Sequence, residues 1–232
     1  MNWLRTSFLK IAVCTLGLAA GLASAEAMEF SRHPADTDEV NAVLAKGRIE
    51  AQDVLRFIAY VDRLPKKKRT DIYLESQGGS VQTAMALGRE IYKSKFRTYA
   101  VNPAPGTGCS SACTLVLIAG RDKETGKPYR VKGSSTRVGF HNFYPVLPEK
   151  AYTAKDILAT EARAQKVILD IANYLLEVDA DLSFLKYSLK QKEIYPIKNE
   201  EALSVGLNVL EESSKEILWS DTYRARTGRS VN

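Results

Sequence analysis

Histidine is scarce in this chain: of 232 residues only two, His33 and His141, carry an imidazole. Cysteine numbers three and tryptophan two. These shortages exclude function classes. No histidine–cysteine cluster has metal-ligand spacing, so neither a metal nor a cofactor is expected. Any imidazole base must be one of two residues. After residue 25 no apolar run approaches the roughly 20 residues a spanning helix needs. No repeat, low-complexity tract or linker divides the chain, so a single domain is expected. The basic excess is also slight, 33 Lys and Arg against 27 Asp and Glu, for a formal net charge of +6. Its densest run, Lys66-Lys67-Lys68-Arg69, follows Pro65 as a solvated turn and has no stacking aromatics between its charges. No nucleic-acid partner is expected.

The one long apolar run stands at the start. Arg5 and Lys10 precede Ile11 to Ala25, a stretch of about 15 apolar and small residues that closes on Ala23-Ser24-Ala25. The expectation is a signal peptide over residues 1–25, a mature chain from Glu26, and a periplasmic or secreted protein that does not span the membrane after processing. A transmembrane anchor would need a longer run. A lipoprotein anchored through Cys14 would need that cysteine at the end of the run, not inside it after Val13. Cys109 and Cys113 remain in the mature chain, and an even count in an exported protein suggests a disulfide. Residues four apart can be bridged if Cys109 lies just outside a helix that Cys113 has joined. Two reduced, buried thiols are the alternative.

The mature chain alternates strand with helix. Asn41 to Ile49 reads as a strand, and Ala51 to Leu64 as a helix with Val54, Phe57, Ile58 and Val61 on one face. Asp71 to Ser76 is a strand that ends at Gly78-Gly79. Ser80 to Lys93 is a helix and Arg97 to Val101 a further strand, which completes a βαβ unit and implies parallel pairing. Pro103-Ala104-Pro105-Gly106 breaks into a loop. Ala112 to Ala119, apolar all round and ended by Gly120, fits a short buried helix. Residues 121–136 read as a polar hairpin excursion around Tyr129 and Val131. Arg137 to Phe140 is a strand, and Ala154 to Val178 a long helix. A small acidic helix over Glu200 to Leu203, a strand over Leu207 to Leu210 and a mobile basic tail from about Ser220 complete an α/β chain.

Three places could carry chemistry. Gly78-Gly79, between a strand and a helix, would expose backbone N–H groups to an anion or oxyanion; alone it is equally a tight turn. In Cys109-Ser110-Ser111-Ala112-Cys113, a serine opens the buried helix, either as a cap or as a nucleophile beside the amide of the next residue. His141 follows Val138-Gly139-Phe140 at a strand end, where parallel-sheet enzymes place functional groups. His33, beside Pro34 near the mature N-terminus, suits a surface role.

Together, the strand ending in Gly78-Gly79, the run Ser111-Ala112-Cys113-Thr114-Leu115-Val116-Leu117-Ile118-Ala119-Gly120, and Ser135-Thr136-Arg137-Val138-Gly139-Phe140-His141 resemble the Clp protease proteolytic subunit family, closest to its exported, periplasmic relatives. The resemblance covers roughly Asn41 to Asn208, with a longer segment before His141 than in the family. It implies a ClpP/crotonase-like fold of repeated ββα units wound into a superhelix with parallel strands. It implies Ser111 as nucleophile, His141 as base, and the Gly79 and Ala112 amides as oxyanion hole. The family's third catalytic residue is an aspartate; the corresponding residue here is Glu193, displaced by about one position. Asp179 and Asp181 are fallbacks, and a Ser-His dyad a further option. The implied activity is hydrolysis of unfolded or short peptides by acyl-enzyme formation, without a cofactor. The relatives form rings, so a homo-oligomer of unspecified size is implied. Their ATP-driven unfoldases are cytoplasmic, so none is expected as a partner of an exported chain. Two other functions compete: a non-catalytic binding or scaffold protein on the same fold, and a crotonase-type coenzyme A thioester enzyme. The latter is disfavoured by export and has no use for Ser111 with His141.

Overall fold

The structure is a computed structural model and describes residues 27–102, 104, 108–142, 152–189 and 193–228. The signal-peptide expectation, with Glu26, lies outside the described residues, as do Pro103, Pro105 and Gly106 of the expected loop.

The chain begins with an antiparallel pair, β1 (Glu29–Arg32) and β2 (Val40–Lys46), followed by α1 (Asp53–Val61), β3 (Arg69–Glu75), α2 (Val81–Ser94) and β4 (Arg97–Ala100). It continues through β5 (Cys109–Ser110), α3 (Cys113–Leu117), β6 (Arg130–Gly133) and β7 (Val138–Phe140) to the long α4 (Ala154–Glu177). The last third holds α5 (Phe184–Leu189), β8 (Tyr195–Pro196), α6 (Asn199–Ser204), β9 (Asn208–Leu210), β10 (Ile217–Leu218) and α7 (Ser220–Thr227). Seven strands form one sheet in the order β1-β2-β3-β4-β6-β9-β10, parallel from β2 to β9 with an antiparallel strand at each edge. A second sheet, β5-β7-β8, pairs β5 with β7 in parallel and β7 with β8 antiparallel.

The period-2 pattern explains the sheet. In β3, Ile72 and Leu74 are buried on the helix side while Tyr73 points to the other face, stacked between His33 and Tyr99. The expected surface histidine, His33, is thus half-buried, its ring 3.8 Å from that of Tyr73. In α2, Ser80 caps the first turn by accepting from the Thr83 amide at 3.2 Å. Gly88 then lets Tyr174 of α4 approach: a Cβ there would lie 1.8 Å from the Tyr174 hydroxyl.

The helix α3 is buried on every side, as its composition predicts. Three groups hold it. The Tyr174 hydroxyl donates to the Leu115 carbonyl at 2.6 Å, Thr98 Oγ1 donates to Leu117 at 2.6 Å, and the Arg130 guanidinium donates to the Ile118 carbonyl. At roughly 1.5–3 kcal/mol for each large apolar side chain buried, α3 is a rigid platform for the turn that precedes it.

Two expectations are corrected. Residues 121–136 are not all an excursion: after a bridge between Arg121 and Pro128, Arg130–Gly133 forms β6 in the middle of the main sheet. Its Arg130 and Lys132 are charged yet buried, which disguised a core strand as a loop. Arg130 also donates to the Asp179 carbonyl, and burial pushes its guanidinium down to about 10. Lys132 donates to the Gly133 carbonyl and Asn199 Oδ1, both at 2.8 Å, and burial lowers its ammonium to about 8 against the opposing Glu212 charge. The tail from Ser220 is also not loose. It forms α7, tied down by the Ser220 amide donating to Asn208 Oδ1 and by Arg224 beside Asp181.

Candidate active site

The turn carrying Ser111 is wedged between the end of β3 and the strand β7. The Ser110 amide donates to the Ser76 carbonyl at 3.0 Å, and the Ser76 amide to Gly108 at 2.8 Å. On the other side, the Cys109 amide donates to Arg137 at 3.1 Å and the Ser111 amide to Gly139 at 2.8 Å. Held at both flanks, Ser111 takes a left-handed φ of 57°. Such a conformation costs a non-glycine residue on the order of 1 kcal/mol or more and persists only where its surroundings impose it.

That conformation aims the hydroxyl at the base. Ser111 Oγ lies 2.6 Å from His141 Nε2, and both residues are partly exposed. His141 owes its place to β7: Phe140, immediately before it, is buried edge-on against Phe184 with ring centroids 4.6 Å apart. Nucleophile and base are thus within the hydrogen-bond reach that acyl transfer requires.

Gly78 brings the glycine turn against this pair. A Cβ on Gly78 would meet Ser111 Cβ at 2.7 Å and the Ala112 nitrogen at 2.9 Å. The amide of Gly79 follows one bond after the Gly78 carbonyl carbon, while the atoms nearest an added Cβ on Gly79 are those of the Ile49 backbone. The Gly78 carbonyl accepts from Ile49 and the Gly78 amide donates to Ser76 Oγ. Neither the Gly79 nor the Ala112 amide donates a hydrogen bond among the described residues. Two uncommitted amides beside a serine are what an oxyanion would need. With only five residues, α3 adds little dipole, so local amide direction matters more than the helix field.

The structure brings Ser111 and His141 together with Gly78 against Ser111 and Ala112, and the Cys109 and Cys113 sulfurs are bonded across the same turn. It does not bring Glu193 to His141. The β7–β8 register pairs Gly139 with Pro196 and Phe140 with Tyr195, and its continuation puts Ile194 opposite His141. Glu193 is exposed and makes no hydrogen bond or ion pair among the described residues. The fallback acids stand elsewhere: Asp181 accepts from the Ser183 amide and lies 3.6 Å from Arg224, and Asp179 and Asp181 both line a cavity that neither Ser111 nor His141 lines.

Sequence reasoning missed two residues here. Gly78, rather than Gly79, makes the close approach to Ser111, and the Gly139 carbonyl anchors the Ser111 amide. An isolated glycine inside the Val138–Phe140 strand was the available signal for the second. A cavity of about 890 Å³ lies elsewhere, between Arg97, Tyr129, Trp219 and Arg224, and none of Ser111, His141, Gly79 or Ala112 lines it. It holds no imidazole to activate a nucleophile. Among the described residues no group of His, Cys, Asp and Glu could hold a metal ion, and no helix is long and apolar enough to cross a membrane. No family model matches the chain, and no curated protein matches it.

Proposed function

We propose that this chain is an exported serine peptidase of the Clp-protease-like class, cleaving unfolded or short peptides through an acyl-enzyme. The observation that carries the reading is the 2.6 Å contact between Ser111 Oγ and His141 Nε2. Ser111 Oγ attacks the scissile carbonyl while His141 Nε2 takes its proton. The Gly79 and Ala112 amides hold the resulting oxyanion, a contribution of about 3–4 kcal/mol per donor in comparable sites. His141 then returns the proton to the leaving amine, and water, deprotonated by the same imidazole, releases the acyl group. The alternation of a mostly parallel sheet with helices, and a second small sheet whose strands β5 and β7 run directly into Ser111 and His141, is compatible with the ClpP/crotonase-like superhelix. The bonded Cys109–Cys113 pair fits an oxidising compartment and, with it, removal of residues 1–25 on export.

One observation favours the competing reading of a non-catalytic binding protein: no hydrogen bond or ion pair joins Glu193 to His141 among the described residues. Cleavage of a denatured, fluorophore-quenched protein separates the two. The wild-type chain should release fluorescence and Ser111→Ala should not. A wild-type rate no higher than that of Ser111→Ala would favour the binding protein.

A further inference from the structure

We propose that the Cys109–Cys113 bridge is a positioning device for Ser111, so that the competence of the nucleophile follows the oxidation state of this turn. The proposal rests on the reading of Ser111 as nucleophile. Ser111 is the middle residue of the five that the bridge encloses. The two cysteines belong to different elements, Cys109 to β5 and Cys113 to the first position of α3, so the bond ties strand to helix directly across the serine.

The geometry indicates what the tie prevents. Four extended steps of chain would separate the two Cα atoms by about 13 Å, whereas they stand 5.3 Å apart. A disulfide tolerates Cα separations only to roughly 7 Å. With the bridge closed, the turn cannot extend, and the left-handed φ of Ser111 is one of few conformations left to it. Without the bridge, Ser111 can relax towards an extended backbone, carrying Oγ away from His141 Nε2 and the Ala112 amide away from Gly79. So short a loop adds little to global stability, and α3 is already anchored through Leu115, Leu117 and Ile118. Local geometry is the effect this bridge can have.

Both cysteines are fully buried. A reductant reaches them only when the turn opens, which keeps the oxidised form persistent. The reductant is a dithiol. Its thiolate attacks one sulfur and breaks the S–S bond; its second thiol resolves the mixed disulfide. The dithiol leaves oxidised, and Cys109 and Cys113 each carry one of the two protons it surrenders.

The test uses the full oxidised chain, its double variant Cys109→Ala/Cys113→Ala, and wild-type chain reduced with dithiothreitol. Each is reacted with a fluorophosphonate, and amide hydrogen exchange is followed at residues 109–113. The expected result is a maximal inactivation rate lower by about tenfold or more in the double variant and the reduced chain, with the half-saturating probe concentration unchanged. Reoxidation should restore the wild-type chain only. The Ser111 amide, bonded to Gly139, should lose protection while amides of β3 and α2 keep theirs. Wild-type labelling and unchanged Ser111 protection in the double variant would overturn the proposal. If the double variant does not fold, the reduced wild-type chain supplies the same two readouts. If the oxidised chain fails to label at all, the nucleophile reading fails, and exchange at Ser111 alone decides whether the bridge holds the turn.

Discussion

Replacing Gly78 with alanine probes the site without touching a reacting atom. The residue has a φ of 94°, which an alanine adopts at a cost of about 1–2 kcal/mol. The new Cβ would also stand 2.7 Å from Ser111 Cβ, 2.8 Å from the Ser110 carbonyl oxygen and 2.9 Å from the Ala112 nitrogen. Two of those neighbours are backbone atoms, in β5 and at the start of α3, so they can move only with the turn itself. Overpacking of this kind typically costs about 1–3 kcal/mol. Gly78→Ala should therefore lose about 3 kcal/mol in denaturant unfolding. Whatever relief occurs comes from displacing the Ser111 turn, and a shift near 1 Å in a catalytic group costs about 100-fold in rate. Fluorophosphonate labelling should fall accordingly. Gly126→Ala is the control: its φ is 67°, but the nearest atom to a new Cβ is 3.9 Å away, at Arg121. It should lose about 1 kcal/mol and label at the wild-type rate. Equal labelling by wild type and Gly78→Ala would refute the argument that this glycine exists to admit Ser111.

Tyr174→Phe strips the buried Leu115 carbonyl of its hydroxyl donor and should cost about 1–3 kcal/mol by urea unfolding, while leaving the labelling site of the folded protein intact. Burial raises the Asp122 carboxyl, but the Thr125 amide and hydroxyl and the Arg97 guanidinium outweigh it and hold it at about 2. A carboxylate lowered on folding stabilises above its unfolded pKa and loses that contribution as pH falls. Wild type should accordingly shed about 2 kcal/mol between pH 4 and 2, an acid limb that Asp122→Asn lacks in thermal melts against pH. Glu193→Gln should label within about twofold of wild type, because Glu193 is exposed and no hydrogen bond joins it to His141 among the described residues. A large loss would place it in the catalytic machinery after all.

Much of this arrangement was legible in the sequence, and the failures have physical causes. The helices over Val81–Ser94 and Ala154–Glu177 announced themselves through apolar spacing, and the structure adds Ser80 and Thr153 as their caps. The buried α3 was readable because it has no polar face. The strand β6 was not, because Arg130 and Lys132 break the apolar pattern and find several of their partners in carbonyls and a side-chain amide contributed by distant segments. The two-residue strands β5 and β8 were missed for a different reason: they are too short to show periodicity, and only pairing with β7 defines them. At the site, serine, histidine and the glycine pair could be named from residue type and position. The third member could not. An acid's reach to an imidazole depends on the path of the chain between elements, and near Glu193 only the two-residue strand β8 is paired with β7.

The central claim is that Ser111 is a nucleophile activated by His141. Its most direct test is mass spectrometry of the oxidised chain after reaction with a fluorophosphonate, with the adduct mapped to a single peptide. The account predicts one phosphonyl group on Ser111, absent from Ser111→Ala and reduced by several orders of magnitude in His141→Ala. An adduct on another residue, or equal labelling of wild type and Ser111→Ala, would contradict it.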